Sequence, residues 1–369
     1  MSTTLRRPSV WLAVGTAVCA VSALAAGTAN AEAVGPTRYT QVNLVSDVRG
    51  AAQVTDPNLV NPWGASYLGT SPLWVSDNGK DVTTLYAGGV HGTPQTINSL
   101  VVSLPGGKPT GQVSNPTTSF LVRDDAGISA PAKFLFVGES GHLSGWAPTV
   151  GGGGTVPSTH AVDAVVTPGA VYKGLAMGAD PGGPLLYAAD FSAGTVDVYN
   201  GLFQRVITTG NFQDPKLPAH FAPFNVMVSG DQVYVAYAQQ DAAREDEVAG
   251  TGRGRVDVFT LQGDLVRRLP AHRTLNAPWG MTIAPAGFGT FSGDLLVGNF
   301  GNGRIHAYDR NSLVFQGIVR GAHGTPIKID GLWALLPGNG MEAGTDQVLF
   351  TAGPQDESHG LLGTLSVAH

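Results

Sequence analysis

The sequence predicts an all-β protein: a six-bladed β-propeller of four-stranded blades, closed by an N-terminal strand in the last blade. Three observations carry this. The chain holds 51 Gly and 24 Pro among 369 residues, and these residues cost about 1 and 3 kcal/mol in helix interiors. A phrase with strand character recurs six times. The last unit lacks a strand, and the start of the mature chain has one to spare. Hydrophobic residues make up 43% and charged residues 13%, which excludes a disordered polyelectrolyte. The net charge is −6 and no Lys/Arg block is present, so no nucleic-acid partner is expected.

The first element is a leader. Arg6 and Arg7 precede an apolar run over residues 10–26, followed by Ala29-Asn30-Ala31. A charged start, an apolar run and a small-x-small site define a secretory signal peptide. Residues 1–31 are assigned to it and 32–369 to a single propeller domain. Sec and twin-arginine export both remain open. Cys19, the one cysteine, lies inside the leader, so no disulfide is expected after cleavage. The expected location is extracellular, with no membrane insertion after cleavage.

The repeat begins with a step of apolar and small residues ending in a polar one. It reads Trp74-Val75-Ser76-Asp77, Phe136-Val137-Gly138-Glu139 and Tyr187-Ala188-Ala189-Asp190. It continues as Tyr234-Val235-Ala236-Tyr237, Leu296-Val297-Gly298-Asn299 and Phe350-Thr351-Ala352-Gly353. The copies are spaced 62, 51, 47, 62 and 54 residues apart. A second phrase precedes it, as in Trp63-Gly64-Ala65, Lys173-Gly174-Leu175 and Trp279-Gly280-Met281. A third follows, as in Gly194-Thr195-Val196-Asp197 and Gly254-Arg255-Val256-Asp257. A looser apolar stretch such as Ala161 to Val166 ends most units. Short β-branched or aromatic runs bounded by Gly, Pro, Asp or Asn are strands. Four of them per ~50 residues is the period of a propeller blade. The second unit lacks an evident first phrase, and Phe120-Leu121-Val122 is the expected substitute. The chain ends soon after the third strand of the sixth unit. An open blade leaves an unpaired edge, so residues 39–44 are expected to complete it.

Several motifs together resemble a known family. They are Thr55-Asp56-Pro57-Asn58-Leu59-Val60-Asn61-Pro62-Trp63-Gly64, Leu186-Tyr187-Ala188-Ala189-Asp190-Phe191 and Ala222-Pro223-Phe224-Asn225. Leu275-Asn276-Ala277-Pro278-Trp279-Gly280 and Ile329-Asp330-Gly331-Leu332-Trp333-Ala334-Leu335 complete the set. Across the mature chain, the sequence resembles a family of exported bacterial proteins, many with a C-terminal PEP-CTERM sorting signal. No such tail precedes His369, which points to release rather than anchoring. The resemblance implies a fold and an export route, not a reaction. The repeats are more distantly similar to NHL repeats and to six-bladed gluconolactonase-like hydrolases.

In a propeller the start of strand one and the end of strand two share a face. That puts Asn61, Lys173, Asn225 and Asp330 on one face with Asp77, Glu139, Asp190 and Asn299. His323 and His359 belong to connections on the same side. Carboxylates and amides at a channel mouth are the hard oxygen ligands of calcium. The candidate cofactor is therefore calcium or another divalent metal, with Asn225 and Asp330 as ligands by similarity to the gluconolactonase-like propellers. Asp and Asn after a strand are also ordinary turn formers. The loop between Gln239 and Gly254 holds Asp241, Glu245, Asp246 and Glu247. It is expected to overhang the mouth as a lid or cation-dependent clasp, offset by a cation or by Arg244, Arg253 and Arg255. Trp63, Trp279 and Trp333 are expected to pack between blades. His91-Gly92-Thr93-Pro94 and His323-Gly324-Thr325-Pro326 repeat one turn on opposite faces.

Two functions fit. The first is a secreted binding protein that holds an extracellular glycan, small molecule or protein on one face. The alternative is a metal-dependent hydrolase or lactonase at the channel mouth, where a metal polarises a carbonyl and activates water. Asp330 is the best catalytic candidate for it.

Overall fold

The computed structural model describes Met1 and residues 37–90, 93–270 and 274–368. Residues 2–36, with the cleavage site and Cys19, and the His91-Gly92 pair lie outside the described residues. Among the described residues no helix is long and apolar enough to cross a membrane.

Six antiparallel sheets follow one another along the chain. Blade one runs Pro62–Ser66, Leu73–Asp77, Val82–Ala87 and Thr96–Ile97. Blade two runs Pro109–Ser114, Phe134–Gly138, His142–Trp146 and Val162–Val166. Blade three is Tyr172–Asp180, Gly183–Asp190, Thr195–Asn200 and Arg205–Val206. Blade four is Phe221–Ser229, Gln232–Gln239, Gly254–Thr260 and Leu265–Arg268. Blade five is Pro278–Ile283, Leu295–Asn299, Ile305–Tyr308 and Phe315–Ile318. Blade six has Leu332–Pro337, Val348–Ala352 and Leu361–Val367 from the C-terminus.

Its fourth strand is Tyr39–Ser46, antiparallel to Leu361–Val367, with Tyr39 opposite Val367 and Ser46 opposite Leu361. Closure by the N-terminal strand is thus observed. Packing fixes the strand at its end. Tyr39 is buried, its ring stacks on Phe291, and its hydroxyl donates to the Phe288 carbonyl at 3.0 Å.

One expectation is corrected. The first strand of blade two is Pro109–Ser114, which pairs with Phe134–Gly138. The segment expected in its place is a separate hairpin, Leu121–Arg123 with Ser129–Pro131. The distinction is steric. First strands crowd the axis, and a glycine at one register position lets neighbouring backbones approach. A Cβ on Gly64 would lie 2.5 Å from the Thr110 carbonyl oxygen, one on Gly111 2.4 Å from the Leu175 nitrogen, and one on Gly280 2.4 Å from the Trp333 carbonyl oxygen. Pro109-Thr110-Gly111 therefore repeats the Pro-x-Gly of Pro62-Trp63-Gly64 and Pro278-Trp279-Gly280.

The axis is filled by aromatic rings. Trp63 of blade one stacks on Trp333 of blade six with centroids 3.5 Å apart, and Trp279 of blade five meets both edge-on. Phe224 of blade four contacts Trp63 at 6.4 Å. Contact between blades one and four occurs only across the axis. The three tryptophans are packing residues, as expected, but they pack on one another at the centre rather than within separate blade interfaces. Buried aromatic pairs add ~1 kcal/mol each beyond area burial.

Candidate functional site

Above the aromatic plug lies a pocket of about 860 Å³. Behind its wall, bonded to the lining residues Glu139 and Asp246, is Lys173, the residue before Gly174 on the first strand of blade three. The lysine side chain is 0% exposed. Its Nζ donates to Glu139 Oε1 at 2.5 Å and to Asp246 Oδ1 at 3.2 Å. It also sits 5.1 Å from the centroid of the Trp63 ring. Burial alone pushes the ammonium's pKa down. The charge and hydrogen bond of Glu139, with Asp246 and Glu247 behind them, outweigh this and hold it above its ordinary value.

The network continues into blades one and six. Asn78 donates to Glu139 Oε2 at 3.2 Å. Asn61 donates to Glu357 Oε2 at 2.6 Å and accepts from the Trp333 indole N–H at 2.9 Å. Glu357 enters from the turn between the second and third strands of blade six. Gln355, Asp356 and Glu357 all adopt positive φ, at 57°, 51° and 64°. Left-handed backbone costs L-residues about 1–2 kcal/mol each, and this turn spends it in pointing Glu357 at the mouth. Burial pushes the Glu357 carboxyl above its usual range. Burial also pushes Glu247 up to about 8, against the opposing pull of Lys173.

The acidic loop forms an ordered wall. Gln240 bridges Glu247, the Asp241 N–H donates to the Asp246 carbonyl, and Glu245, Asp246 and Glu247 line the pocket. Asp241 itself turns inward and accepts from the Glu245 N–H at 3.0 Å. The cation that offsets the loop is Lys173, not the expected arginines. Arg253 and Arg255 donate to backbone carbonyls, and Arg244 is exposed.

The sequence-derived residues divide. Glu139, Asp246 and Glu247 meet at the pocket, Glu245 lines it, and Asn61 stands behind it, bonded to Glu357. Asp330 is exposed, and its Oδ2 accepts from the Gln355 N–H at 3.0 Å, so it braces the turn that carries Glu357. Asn225 lies in the channel interior. There its amide donates to the Trp279 carbonyl at 2.7 Å, and it lines the pocket on the other side of the plug. The structure does not bring Asn225 and Asp330 together.

The remaining candidates make local contacts. Asp77 is 0% exposed within blade one and accepts from the Thr84 hydroxyl. Asp190 accepts from Ser192 and from the Ala193 N–H, closing a turn. Asn299 bonds the Asn276 N–H and the Arg304 carbonyl. His323 is exposed on a peripheral turn. His359 pairs with Asp47 at 2.8 Å. Among the described residues, no group of three or more His, Cys, Asp or Glu is arranged to hold a metal ion.

Lys173 was placed on the right face by the sequence, but its central role was not. Glu357 and Asn78 were missed. The usable trace of Glu357 was the length of the blade-six connection from Gly353 to Gly360.

No family model matches the chain. The uncharacterized protein R648 of Acanthamoeba polyphaga mimivirus is 30% identical over 328 residues, covering 87% of this chain and 78% of that protein. The uncharacterized protein L690 of the same virus is 31% identical over 328 residues, covering 87% and 84%. Among solved structures, virginiamycin B lyase from Staphylococcus aureus superposes with a TM-score of 0.50 at 13% identity, over 90% of this chain and 100% of that one. A streptogramin B lyase structure gives 0.50 at 12% identity, over 89% and 97%. At such identity the likeness is one of fold, and it matches the six blades seen here. The relatives are viral, where the sequence resemblance pointed to bacteria. With its fold and these two likenesses over most of each chain in hand, the chain belongs to the β-propeller family of the mimivirus proteins R648 and L690.

Proposed function

We propose that the protein is an exported binding propeller that holds a polar ligand in the channel-mouth pocket. The observation that carries this is convergence. Blades one, two, four and six each send a polar side chain to one pocket whose wall is backed by a fully buried lysine of blade three. Desolvating an ammonium and three carboxyl groups together is costly, and a fold that needed only stability would fill the space with apolar side chains. Trp63, 2% exposed, also lines this pocket, and its indole N–H finds no acceptor. An unmet buried donor costs about 1–3 kcal/mol. Export is supported by the leader-like pattern of residues 1–31.

The test is a thermal-shift comparison of the mature protein and Glu357→Gln with neutral oligosaccharides, organic acids and organic amines. A ligand at 100 times its dissociation constant adds about 2.7 kcal/mol. The expected result is a ligand that raises the melting temperature of the parent and loses most of that effect in the variant. Stabilising ligands that act equally on both proteins would place binding elsewhere and overturn the reading.

A further inference from the structure

The geometry points to an organic cation, an ammonium or guanidinium group, as the chemistry this pocket receives, with Glu247 and Glu357 as its acceptors. The inference rests on the reading of the mouth as the ligand site, and it follows from which hydrogen-bonding groups are already spent.

Most side-chain donors of the wall are used; the Trp63 indole N–H, which has no acceptor, is the exception. Lys173 gives two N–H bonds to Glu139 and Asp246 and faces Trp63 with the rest of its charge. The Asn61 amide is committed to Glu357, Asn78 and Trp333. Asn78 is committed to Glu139. Lys108, the other cationic residue lining the pocket, is exposed at its rim. The acceptors are not used to the same degree. Glu357 takes its bond from Asn61 through Oε2. The donor that touches the Glu247 carboxyl is its own backbone N–H, and Lys173 acts on it only through charge. One free indole N–H and the rim ammonium of Lys108 stand against the carboxyl groups of Glu247, Glu357, Glu139, Asp246 and Glu245, and this excess of acceptors favours a ligand that donates. Ammonium and guanidinium groups do so with charge-assisted bonds roughly twice as strong as neutral ones.

A divalent metal fits less well. The position between Glu139 and Asp246 already holds an ammonium, and a compact dication beside it is repelled. A guanidinium spreads its charge and is more weakly hydrated, so it can enter beside Lys173 at lower cost.

Entry of a cation has a proton consequence. Glu247 faces Lys173, which favours its charged form, and Glu357 and Asp246, which oppose it. Asp81, Glu139 and Glu245 also line the pocket, with Lys108 at the rim. At neutral pH its carboxyl holds a proton, since its pKa lies at about 8. An arriving cation reverses the balance: the Glu247 O–H bond breaks, the proton leaves to solvent, and the carboxylate pairs with the ligand. Binding therefore tightens as pH rises towards about 8 and levels off above it.

Calorimetric titration tests this with agmatine as a free guanidinium, butylamine as a free ammonium, and acetyl-Gly-Arg-Gly-amide as the same group on a peptide. Maltose and calcium chloride are the controls. The parent is expected to bind a cation about tenfold or more tightly at about pH 8.5 than at about pH 6.5, releasing close to one proton at the lower pH. Glu247→Gln should bind without the pH dependence or the released proton. Glu357→Gln should bind about tenfold more weakly. Preference for the peptide marks a basic protein segment as the source of the cation; preference for agmatine or butylamine marks a small amine. Binding of maltose but not of the cations, lost in Glu357→Gln, keeps the mouth as the site and overturns the cation inference. A calcium response with the same proton release overturns it as well. Unfolding curves of both variants without ligand separate loss of binding from loss of fold.

Discussion

The ammonium of Lys173 rests 5.1 Å from the centroid of the Trp63 ring. A lysine of blade three thus reaches a tryptophan of blade one, and the polar cluster at the mouth is seated directly on the aromatic plug. Contacts of this kind are worth about 2 kcal/mol when desolvated. They join the stability of the axis to the chemistry of the pocket.

The first prediction concerns that join. Lys173→Met leaves Glu139 and Asp246 facing each other without a counter-charge. Breaking one side of a buried pair costs about 3–5 kcal/mol. The double variant Lys173→Met with Glu139→Gln should recover a good part of this. Urea unfolding of both proteins is the measurement. A single variant as stable as the parent would show that the pair carries no structural load.

The second prediction concerns closure. A chain that begins at Asp47 lacks Tyr39–Ser46 and exposes the edge of Leu361–Val367. Such an edge is a template for aggregation. The shortened protein should melt well below one that keeps this strand, or precipitate on heating. Melting curves that coincide would contradict the role of this strand.

The third prediction places the blade-two strand. Gly111→Ala puts a methyl group 2.4 Å from the Leu175 backbone nitrogen, where no side chain can yield. Overpacking of this sort costs about 1–3 kcal/mol. A neutral outcome in thermal unfolding would return the axis of blade two to another segment.

Most of the fold was legible because propeller blades repeat their chemistry locally. The strand-two phrase and the spare N-terminal strand were each visible within a few residues of sequence. Blade two was misread because a separate hairpin that buries Phe120 and Val122 offered a better apolar run than the first strand, whose signature is steric: the Pro-x-Gly of Pro109 to Gly111. The site was only half legible. Strand order dictates which loops share a face, but the outcome at each Asp or Asn depends on the partner it finds, from Ser192 two residues beyond Asp190 to Glu357, 296 residues from Asn61. Asp330 became a brace because the Gln355 N–H reached it, and Glu357 took the mouth because three left-handed residues turned it inward.

The fourth prediction is a pH dependence of stability. Burial pushes Glu342 up to about 8, and its Oε2 has no partner, while Gln95 donates to Oε1 at 2.8 Å. Between the usual glutamate value and about 8 the folded state holds a proton that the unfolded state has lost. Stability should therefore fall as pH rises through this window, by up to about 1.4 kcal/mol per pH unit for each such group. Glu342→Gln should flatten the slope and be more stable than the parent above pH ~8. Unfolding free energies measured across the window decide it, and an unchanged slope in the variant would contradict the assignment.

The most direct test of the account is the acidic wall of the mouth. Residues 241–247 touch the pocket through Glu245, Asp246 and Glu247, and no blade strand runs through them. Replacing this segment with a Gly-Ser linker of equal length should leave the blades folded. The measurement is the melting temperature of parent and replacement, each with and without agmatine. The account predicts that agmatine stabilises the parent and that the replacement, still folded, no longer responds. A replacement that is stabilised as strongly as the parent would show that the mouth is not where the ligand binds.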